Sequence, residues 1–521
     1  MNLLTILTLI PLIGGAAVLS LKADQKDLAR RLGLAISLIA LGMAAFLWFQ
    51  FNPSPGTNGF AFEERADWLP SLGIEYRLGV DGLGILMVCL SALLVPFSML
   101  ASWKIDQNPK LYFGLLLFLE AGLFGTFTAL NFFHWFIFWE LSLIPAFFLI
   151  KIWGGPNRTQ AAYQFFVYTL VGSVAMLLSF LAINVATGIN SPAHIFDFRA
   201  LAELAGNHKL EPIIAKLGIF KNPSTTMTVL FAGVFLGFAV KVPLIPFHTW
   251  LPSAYSEAPT GTSMMLTGAM SKMGVYGFLR ILLPIFPEQT RAMLTPLLWM
   301  AVATIVFSAA AAFAQKDLKR MVAYSSINHL GYCMLGIFAT VQLTGSQMNG
   351  PLEKEAALNG VILQMFNHGL TAAALFYFVG LIEQRSGGLR GLNDFGGLRK
   401  PAPVFCGLMG ITLFASLGLP GLNGFIGEFL IFKGAFSLAP GPAAVSTIGL
   451  LVTAIFLLTL LQKVFSGPLR SEWSGWRDLT TGERFTVVPM IALMFVLGLY
   501  PQLVLGVINP TVVEMVKQLS F

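Results

Sequence analysis

The chain contains 521 residues, of which 56% are hydrophobic and only 11% are charged. At about 150 residues per domain, a soluble protein of this length would have three or four domains, but soluble domains carry roughly 25% charged residues. Together with a mean hydropathy of +0.75, this composition excludes an ordinary cytosolic enzyme and indicates a polytopic membrane protein.

The net charge of +7 would suggest a nucleic-acid partner in a soluble protein. The basic residues of this chain, however, lie in short loops between apolar runs, which is the bias that membrane proteins show on their cytoplasmic side. We therefore expect lipids, and no nucleic acid, around the chain. Cys89, Cys333 and Cys406 stand singly within apolar segments, and this spacing predicts neither a metal site nor a disulfide framework.

Apolar runs of about 20 residues, the length that a helix needs to cross the hydrocarbon core, occur fourteen times. Because they lack the alternation of barrel strands, they are expected to be helices, and the predicted fold class is all-α and polytopic. The first run lacks a basic leader and a cleavage site, so it is expected to be retained as a span. The fourteen runs lie near residues 3–20, 32–50, 80–102, 111–130, 132–153, 162–186, 227–251, 260–284, 292–314, 319–341, 357–382, 402–432, 440–463 and 485–507.

The distribution of lysine and arginine predicts how the spans are oriented. Nineteen of the 32 basic residues fall in loops on the side of Lys22, eleven fall on the opposite side, and Lys241 and Lys272 lie within spans. By the positive-inside rule the Lys22 side is cytoplasmic, and an even number of spans then places both termini on the outer side. The expected location is the bacterial inner membrane, or a thylakoid or organelle inner membrane.

Two of the predicted spans are interrupted by proline and glycine. Span 7 contains the string KVPLIPFH at residues 241–248, and span 12 contains LPGLNG at residues 419–424. A matched pair of broken helices points to inverted repeats in transporters, so spans 4–8 and 9–13 are expected to form two inverted five-helix repeats. The predicted divisions are 1–110 for spans 1–3, 111–284 for the first repeat, 285–463 for the second repeat, and 464–521 for span 14 and the tail.

Eight ionisable residues inside the predicted spans are the candidate site residues. A charged group costs at least about 2.5–3.5 kcal/mol to insert at the centre of a membrane, so each one needs a polar partner or a water-lined cavity. One such residue can be part of a structural pair between helices, but eight of them over seven spans predict a proton path across the bundle. They are Glu120, Glu140, Lys241, His248, Lys272, His329, His368 and Glu428.

Two lysines and one glutamate are the leading charged candidates of the first repeat, which also contains Glu120. Lys241 lies where span 7 breaks and is the nearest counter-charge predicted for Glu140 in the middle of span 5, so the two are expected to titrate as a coupled pair. Lys272 lies among small residues of span 8 that permit close helix packing, which predicts an internal position for its amine.

The remaining candidates are histidines and two further acids. His329 and His368 are flanked by small or polar residues that can hold water, and histidine suits proton transfer near neutral pH. Glu428 opens the second half of span 12, where the N-terminus of a half-helix favours a carboxylate. Glu120 in span 4 and His248 on the broken span 7 rank below these residues.

Several strings closely resemble the antiporter-like subunits of respiratory complex I. They are FWEL at residues 138–141, KVPLIPFHTWLP at 241–252, SEAP at 256–259, SKMGVYG at 271–277 and GEF at 427–429. The resemblance extends from about residue 80 to residue 470, and the HTWLP and SEAP pieces are specific to this superfamily. A glutamate in the second half of span 12, where sibling subunits tend to carry lysine, is similar to the subunit M group of NADH-quinone oxidoreductases, which includes mitochondrial chain 4.

The resemblance implies that six of the candidates take part in proton translocation. It assigns Glu140 and Lys241 to the pair of the first half-channel and Lys272 to the central proton carrier. The axis then continues through His329 and His368 to Glu428 at the outer exit.

The resemblance also implies a division of labour among subunits. Flavin, iron–sulfur clusters and quinone are expected in partner subunits, in agreement with a sequence that has no dinucleotide fingerprint, P-loop or metal-ligand cluster. The expected partners are other membrane subunits of complex I, including two antiporter-like siblings. The chain is thus predicted to be a proton-translocating subunit of an NADH-quinone or plastoquinone oxidoreductase, with no redox site of its own.

Two other functions remain open at this point. Subunits of multisubunit sodium/proton antiporters share the Glu–Lys core, so the chain is alternatively a subunit of such an antiporter, driven by an existing gradient. A purely structural membrane scaffold is the third function considered. The axis of buried Glu, Lys and His residues argues against a scaffold, because structural pairing does not need a line of such groups.

Overall fold

The computed structural model describes residues 2–52, 59–189, 195–343 and 350–519, and within these ranges the chain is mostly helical. The helices before the first break are α1 (Leu3–Ser20), α2 (Lys26–Gln50), α3 (Gly82–Ala101), α4 (Pro109–Thr128), α5 (Phe132–Trp153), α6 (Arg158–Gly188), α7 (Phe198–Gly206), α8 (Leu210–Ala215) and α9 (Pro223–Lys241). The next are α10 (Trp250–Glu257), α11 (Thr260–Met265), α12 (Lys272–Gly277), α13 (Leu283–Ile285), α14 (Pro287–Ala292), α15 (Leu294–Ala314) and α16 (Leu318–Thr340). The last are α17 (Gly350–Arg385), α18 (Pro403–Ser416), α19 (Asn423–Leu438), α20 (Pro440–Phe465), α21 (Thr481–Leu499) and α22 (Gln502–Gln518).

Eleven helices of the described ranges are long and apolar enough to cross a membrane, and they are α1 to α6, α9, α15, α17, α20 and α21. The expected helical membrane fold is therefore confirmed. Their burial differs in a way that defines the centre of the bundle: α17 is buried along its whole apolar window, whereas α2 and α20 are buried over about a third of theirs. The helices around α17 thus form the interior in which buried ionisable groups are found.

Both interruptions predicted from the sequence are present. α9 ends at Lys241, and the chain makes turns before α10 begins at Trp250, because Pro243 and Pro246 have no N–H to continue the helix. The Trp250 indole donates to the carbonyl of Val240 (3.0 Å), which would otherwise lack a partner at the break. The second interruption lies between Ser416, where α18 ends, and Asn423, where α19 begins.

The helical stretch 260–285 contains two π-helical turns. The first covers Leu266–Met270 and the second covers Phe278–Leu282. Such turns insert an extra residue into a helix and are frequent at functional sites. The first of them places Lys272, the first residue of α12, directly after the widened turn.

A two-stranded antiparallel sheet was not predicted from the sequence. Strands β1 (Ala61–Leu69) and β2 (Ile74–Val80) pair with Arg65 opposite Arg77 and are joined through Gly73, whose φ of 69° suits glycine. Arg65 also forms an ion pair with Glu75 (2.7 Å). The hairpin was missed because the search for apolar runs passes over a charged segment of this kind.

The C-terminal end of span 14 was predicted wrongly. The apolar run continues to residue 507, but α21 ends at Leu499 because the residue before Pro501 is disfavoured in the helical conformation. A separate helix, α22, then packs against α3 and α17. Thr511 of α22 accepts a hydrogen bond from the amide of Gly82 (2.8 Å), which fixes this helix on the core.

Candidate functional site

Lys272 lies at the centre of the site, and its side chain is fully buried. Its Nζ is 2.8 Å from Nδ1 of His368 on α17 and 3.3 Å from the hydroxyl of Ser271, and it also donates to the carbonyl of Thr267. An ammonium group has three donors and no acceptor. The ring nitrogen of a neutral His368 is therefore a direct acceptor for a proton of Lys272.

Two glycines allow this contact. A Cβ on Gly369 would come within 2.6 Å of the carbonyl oxygen of Gly268, and a Cβ on Gly268 would come within 3.2 Å of the carbonyl oxygen of Gly369. The π-helical turn before Lys272 and the middle of α17 thus meet backbone to backbone. Small residues permit this close approach between membrane helices, and it brings His368 within hydrogen-bond distance of Lys272.

The line of titratable groups continues from His368 to Glu428. The ring centres of His368 and His329 are 5.2 Å apart, with the ring planes inclined by 38°. Nε2 of His329 is 3.2 Å from the hydroxyl of Ser416, and its Nδ1 is 3.1 Å from Oε1 of Glu428. Lys272, His368, His329 and Glu428 therefore form a continuous series that crosses from α12 through α17 and α16 to α19.

Hydrogen bonds between side-chain amides and backbone hold the end of this series in place. The Gln364 amide donates to Oε1 of Glu428 (3.2 Å). Asn367 donates to the backbone carbonyl of Asn423 (2.6 Å), and Asn423 donates in return to the carbonyl of Asn367 (3.2 Å). These bonds fix the beginning of α19 against α17, and Glu428 stands in the second turn of that helix.

Glu140 and Lys241 lie near one another without forming an ion pair in the described part of the chain. Glu140 on α5 is half-buried and close enough for its charge to act on Lys241, whose side chain is 2% exposed. Nζ of Lys241 lies 5.0 Å from the centre of the Trp139 ring, a distance that gives a cation–π interaction. Oε1 of Glu140 is buried without a hydrogen-bond partner, so the acid has an unused acceptor.

Glu120 and His248 are not brought into this series. Glu120 is fully buried in α4, and neither of its carboxylate oxygens has a hydrogen-bond partner among the described residues. His248 is half-buried in the turn after α9, and its ring centre is 6.5 Å from that of Tyr324. Among the described residues, neither Glu120 nor His248 contacts Lys272, His329 or His368.

Sequence reasoning missed the neutral polar residues of the site. Gln364 contacts Glu428, Ser416 contacts His329, and the backbone carbonyl of Thr267 accepts a hydrogen bond from Lys272. Polar residues within apolar runs were the only available signal, and serine and threonine are too common in membrane helices for that signal to select these positions. Among the described residues, no group of three or more His, Cys, Asp or Glu side chains is arranged to hold a metal ion.

Similarity to known proteins covers the whole chain. Residues 129–456 match the family described as NADH:quinone oxidoreductase/Mrp antiporter, TM. The F(420)H(2) dehydrogenase subunit M of Methanosarcina mazei is 36% identical over 504 residues, which cover 96% of this chain and 95% of that protein. The NADH-quinone oxidoreductase subunit M of Rhodobacter capsulatus is 35% identical over 521 residues, which cover 99% of this chain and 96% of the relative.

The fold is also found in a solved respiratory complex. A chain of respiratory complex I from Thermus thermophilus with bound NADH matches with a TM-score of 0.83 and 29% identity, and the match covers 100% of both chains. The resemblance that the sequence motifs showed to antiporter-like subunits, and to subunit M among them, is thereby confirmed. The chain belongs to the NADH:quinone oxidoreductase/Mrp antiporter family of transmembrane proteins.

Proposed function

We propose that the chain is the proton-translocating subunit M of a complex I-type oxidoreductase, in which partner subunits carry out electron transfer. The observation that carries this proposal is the buried series from Lys272 through His368 and His329 to Glu428. Burying four titratable groups in one membrane bundle is expensive. A continuous path for protons accounts for all four, whereas a structural pair accounts for only two.

The geometry supports a stepwise transfer of protons. The Lys272 ammonium donates to Nδ1 of His368, and a proton leaves His368 from Nε2, which is buried without a protein partner. Nε2 of His368 forms no hydrogen bond with His329, although the ring centres are 5.2 Å apart, so we propose that a transient water passes the proton between them. His329 then transfers a proton to Glu428 across 3.1 Å. Each group receives one proton and releases one. An imidazole that takes up a proton at one ring nitrogen and loses one from the other ends in the opposite tautomer, so each ring must rotate or exchange its N–H proton with water before the next transfer.

Glu140 and Lys241 supply the switch in this proposal. When their charges approach, each stabilises the charged form of the other, and when they separate, that stabilisation is lost. The cation–π contact between Lys241 and Trp139 gives the lysine a second position in which its charge is accommodated. Movement of Lys241 between Trp139 and Glu140 would therefore change the proton affinity of Lys272 nearby.

The finer topology belongs to the same proposal. We propose fourteen spans. Ten of them are the long apolar helices other than α9. The other four are α9 together with α10, the stretch α11 to α13, α16 alone, and α18 together with α19. The two interruptions, after Lys241 and after Ser416, support two inverted five-helix repeats at residues 111–284 and 285–463. Spans 1–3 precede them at 1–110, and 464–521 follow. The basic loops are proposed to face the cytoplasm, with both termini on the outer side of a bacterial or organelle inner membrane.

The names of the relatives support a proposal for partners and cofactors. Subunits M of enzymes named for NADH and for F(420)H(2) are 35% and 36% identical to this chain, so we propose that partner subunits determine the electron donor. Flavin, iron–sulfur clusters and quinone are proposed to bind in those partners, and two antiporter-like siblings and lipids are proposed to surround the chain. A stoichiometric flavin or haem absorbance in the purified single chain would contradict this division.

One experiment separates this function from the alternative of a sodium/proton antiporter. The assembled complex that contains the chain is purified, reconstituted in vesicles and supplied with an electron donor and a quinone, and proton movement is followed with and without an imposed sodium gradient. Proton translocation driven by electron transfer, abolished by Lys272→Met with the complex still assembled, supports the proposal. Sodium-dependent proton exchange without any electron donor would favour the antiporter.

A further inference from the structure

A cavity of about 300 Å³ lies where α3, α11 and α17 meet, apart from the series that leads to Glu428. Its lining includes Ala101, Thr260, Tyr377, Gly380 and Glu383. Glu383 is the acid of this lining, and Thr260 packs so closely on α17 that a Cβ on Gly380 would lie 2.2 Å from its hydroxyl. The cavity therefore brings water-sized space next to a carboxylate and to the beginning of the helical stretch that carries Lys272.

An ion pair joins the acid of this cavity to a buried lysine. Nζ of Lys319 is 2.6 Å from Oε2 of Glu383, and the Lys319 side chain is only 3% exposed. The same Nζ donates to the carbonyl of Ala258 (3.3 Å). Arg390 is the other cation that faces Glu383, at 3.7 Å, and it also pairs with Asp317 (3.1 Å). A buried lysine of this kind depends on its partner charge, because an unpaired buried charge is costly.

A row of hydroxyl groups leads from the cavity to Lys272. Thr260, Ser263, Thr267 and Ser271 follow one another at spacings of three and four residues, which places them on one face of the helical stretch. The Ser263 hydroxyl donates to the carbonyl of Ala258 (3.2 Å), the same atom that accepts from Lys319.

The row continues across the π-helical turn. The Thr267 hydroxyl is 2.9 Å from the hydroxyl of Ser326 on α16. The Ser271 hydroxyl is 3.3 Å from Nζ of Lys272. Successive hydroxyls are separated by about one helical turn, or roughly 5–6 Å, a gap that a single water can bridge. The row thus ends at the amine that the proposed function treats as the central proton carrier.

We propose that this cavity is a proton inlet for Lys272 and that the Lys319–Glu383 ion pair controls it; this inference rests on the proposed function. A proton from water in the cavity binds the Glu383 carboxylate, and the neutral acid no longer forms an ion pair with Lys319. Lys319 stays protonated and keeps its hydrogen bond to the carbonyl of Ala258. The proton then passes along the row, where each hydroxyl and water accepts one proton and releases another. It ends on the neutral amine of Lys272, Glu383 is a carboxylate again, and the ion pair re-forms.

Two variants and a matched control test the inlet in the assembled complex reconstituted in vesicles. Glu383→Gln removes the proton-binding group, and Thr267→Val interrupts the row; each is expected to lower the initial rate of proton translocation about tenfold. Glu353→Gln is the control, because Glu353 stands on the same helix and also pairs with a lysine, Lys433 (3.3 Å), but does not line the cavity. It is expected to translocate protons at the wild-type rate.

A second readout separates an inlet from a merely structural role. If the row carries protons, Thr267→Val makes proton uptake rate-limiting and raises the solvent deuterium isotope effect on translocation, and Thr267→Ser restores both the rate and the isotope effect. The inlet is overturned if Glu383→Gln and Thr267→Val both show wild-type rates and isotope effects. If Lys272→Met does not translocate protons in the same experiment, the proposed function still stands. Wild-type translocation in Lys272→Met overturns the proposed function itself.

Discussion

His329 and Glu428 are in contact, with Nδ1 of the histidine 3.1 Å from Oε1 of the acid. Both side chains are buried, at 3% and 7% exposure. The contact joins α16 to the second half of the interrupted helix pair α18 and α19, and the residue Ser416 that ends α18 binds the other ring nitrogen of His329. The helices on both sides of the interruption therefore contact the same imidazole, which places the interruption beside the proposed proton path.

This relationship predicts that Glu428 must be able to exchange a proton. Glu428→Gln and Glu428→Ala are expected to slow proton translocation about tenfold, since neither variant has a titratable group. Glu428→Asp is expected to keep partial activity, and Glu428→Lys is expected to fold and to translocate partly if its amine can lose a proton in this site. The measurement is the rate of proton translocation by the reconstituted complex between about pH 6 and pH 8. Wild-type rates in both the glutamine and alanine variants would make Glu428 a structural residue.

The contact between Lys272 and His368 predicts that a substitution of His368 blocks the proposed path. His368→Leu is expected to stop proton translocation and to slow the coupled reduction of quinone, because leucine offers neither an acceptor for Lys272 nor a donor for His329. The matched control is His208→Gln, which changes an exposed histidine paired with Glu288 (2.7 Å). Both rates are measured on the assembled complex. Unchanged proton translocation in His368→Leu would show that Lys272 passes its proton to a group other than His368.

The arrangement of Glu140 and Lys241 predicts a loss of coupling without a loss of assembly. Lys241→Ala removes the partner charge of Glu140 but leaves the packing around Trp139 in place, so the complex is expected to assemble. Proton translocation and coupled electron transfer are both expected to fall severely. Glu140→Gln is expected to behave in the same way, and Glu140→Asp more mildly. A wild-type quinone reductase rate together with a wild-type membrane potential in Lys241→Ala vesicles would contradict the switch.

Close packing at Gly369 gives a prediction about stability. Gly369→Val places new atoms against the carbonyl of Gly268, where a Cβ would already lie at 2.6 Å, and overpacking of this kind costs about 1–3 kcal/mol. The variant is expected to lower the midpoint of thermal inactivation and to separate Lys272 from His368. Gly407→Val is the control, because nothing lies within 4 Å of a Cβ at that exposed helical position. Equal midpoints for the two variants would show that the close approach at Gly369 is unimportant.

Sequence reasoning located the interruptions and the ionisable residues because each has a strong local signal. A proline such as Pro243 cannot continue a helix, and a charge such as Lys272 within an apolar run is costly enough to need a reason. Both signals are read from one segment at a time. Neither signal describes the geometry between segments. The sequence therefore did not show that His368 contacts Lys272 directly, or that Lys241 and Glu140 lie near one another without forming an ion pair.

Other features were missed because the signal lies in distant or ordinary residues. The strand pair β1–β2 is polar and charged, and it was passed over in a search for apolar runs. The end of α21 depends on Pro501, a single residue within a run that is otherwise apolar. Lys319 and Glu383, the residues of the proposed inlet, stand 64 positions apart. Lys319 was counted only toward the positive-inside bias, and Glu383 was not considered.

A last example of such a distant contact is the cap of α18. The preceding residue, Ala402, has no side chain that can cap this helix. Instead, Asp478 reaches across and accepts hydrogen bonds from the first-turn amides of Val404 (2.9 Å) and Phe405 (2.9 Å). Partial burial alone would raise the pKa of Asp478, but these bonds, the bond from the Leu479 amide and the charge of Arg484 outweigh it and hold the pKa below its usual value.

The lowered pKa of Asp478 fixes the pH dependence of this cap. A carboxyl group whose pKa is lower in the folded state stabilises that state above its unfolded pKa of about 3.9, and the stabilisation is lost as the pH falls through the lower, folded value. The Val404 and Phe405 amides are therefore expected to be protected from hydrogen exchange at pH 5 and above and to lose protection below about pH 4. Exchange is measured on the assembled complex and corrected for the intrinsic effect of pH. Asp478→Asn, which cannot carry a negative charge, is expected to show weaker protection with no such transition; a transition that persists in this variant would assign it to another group.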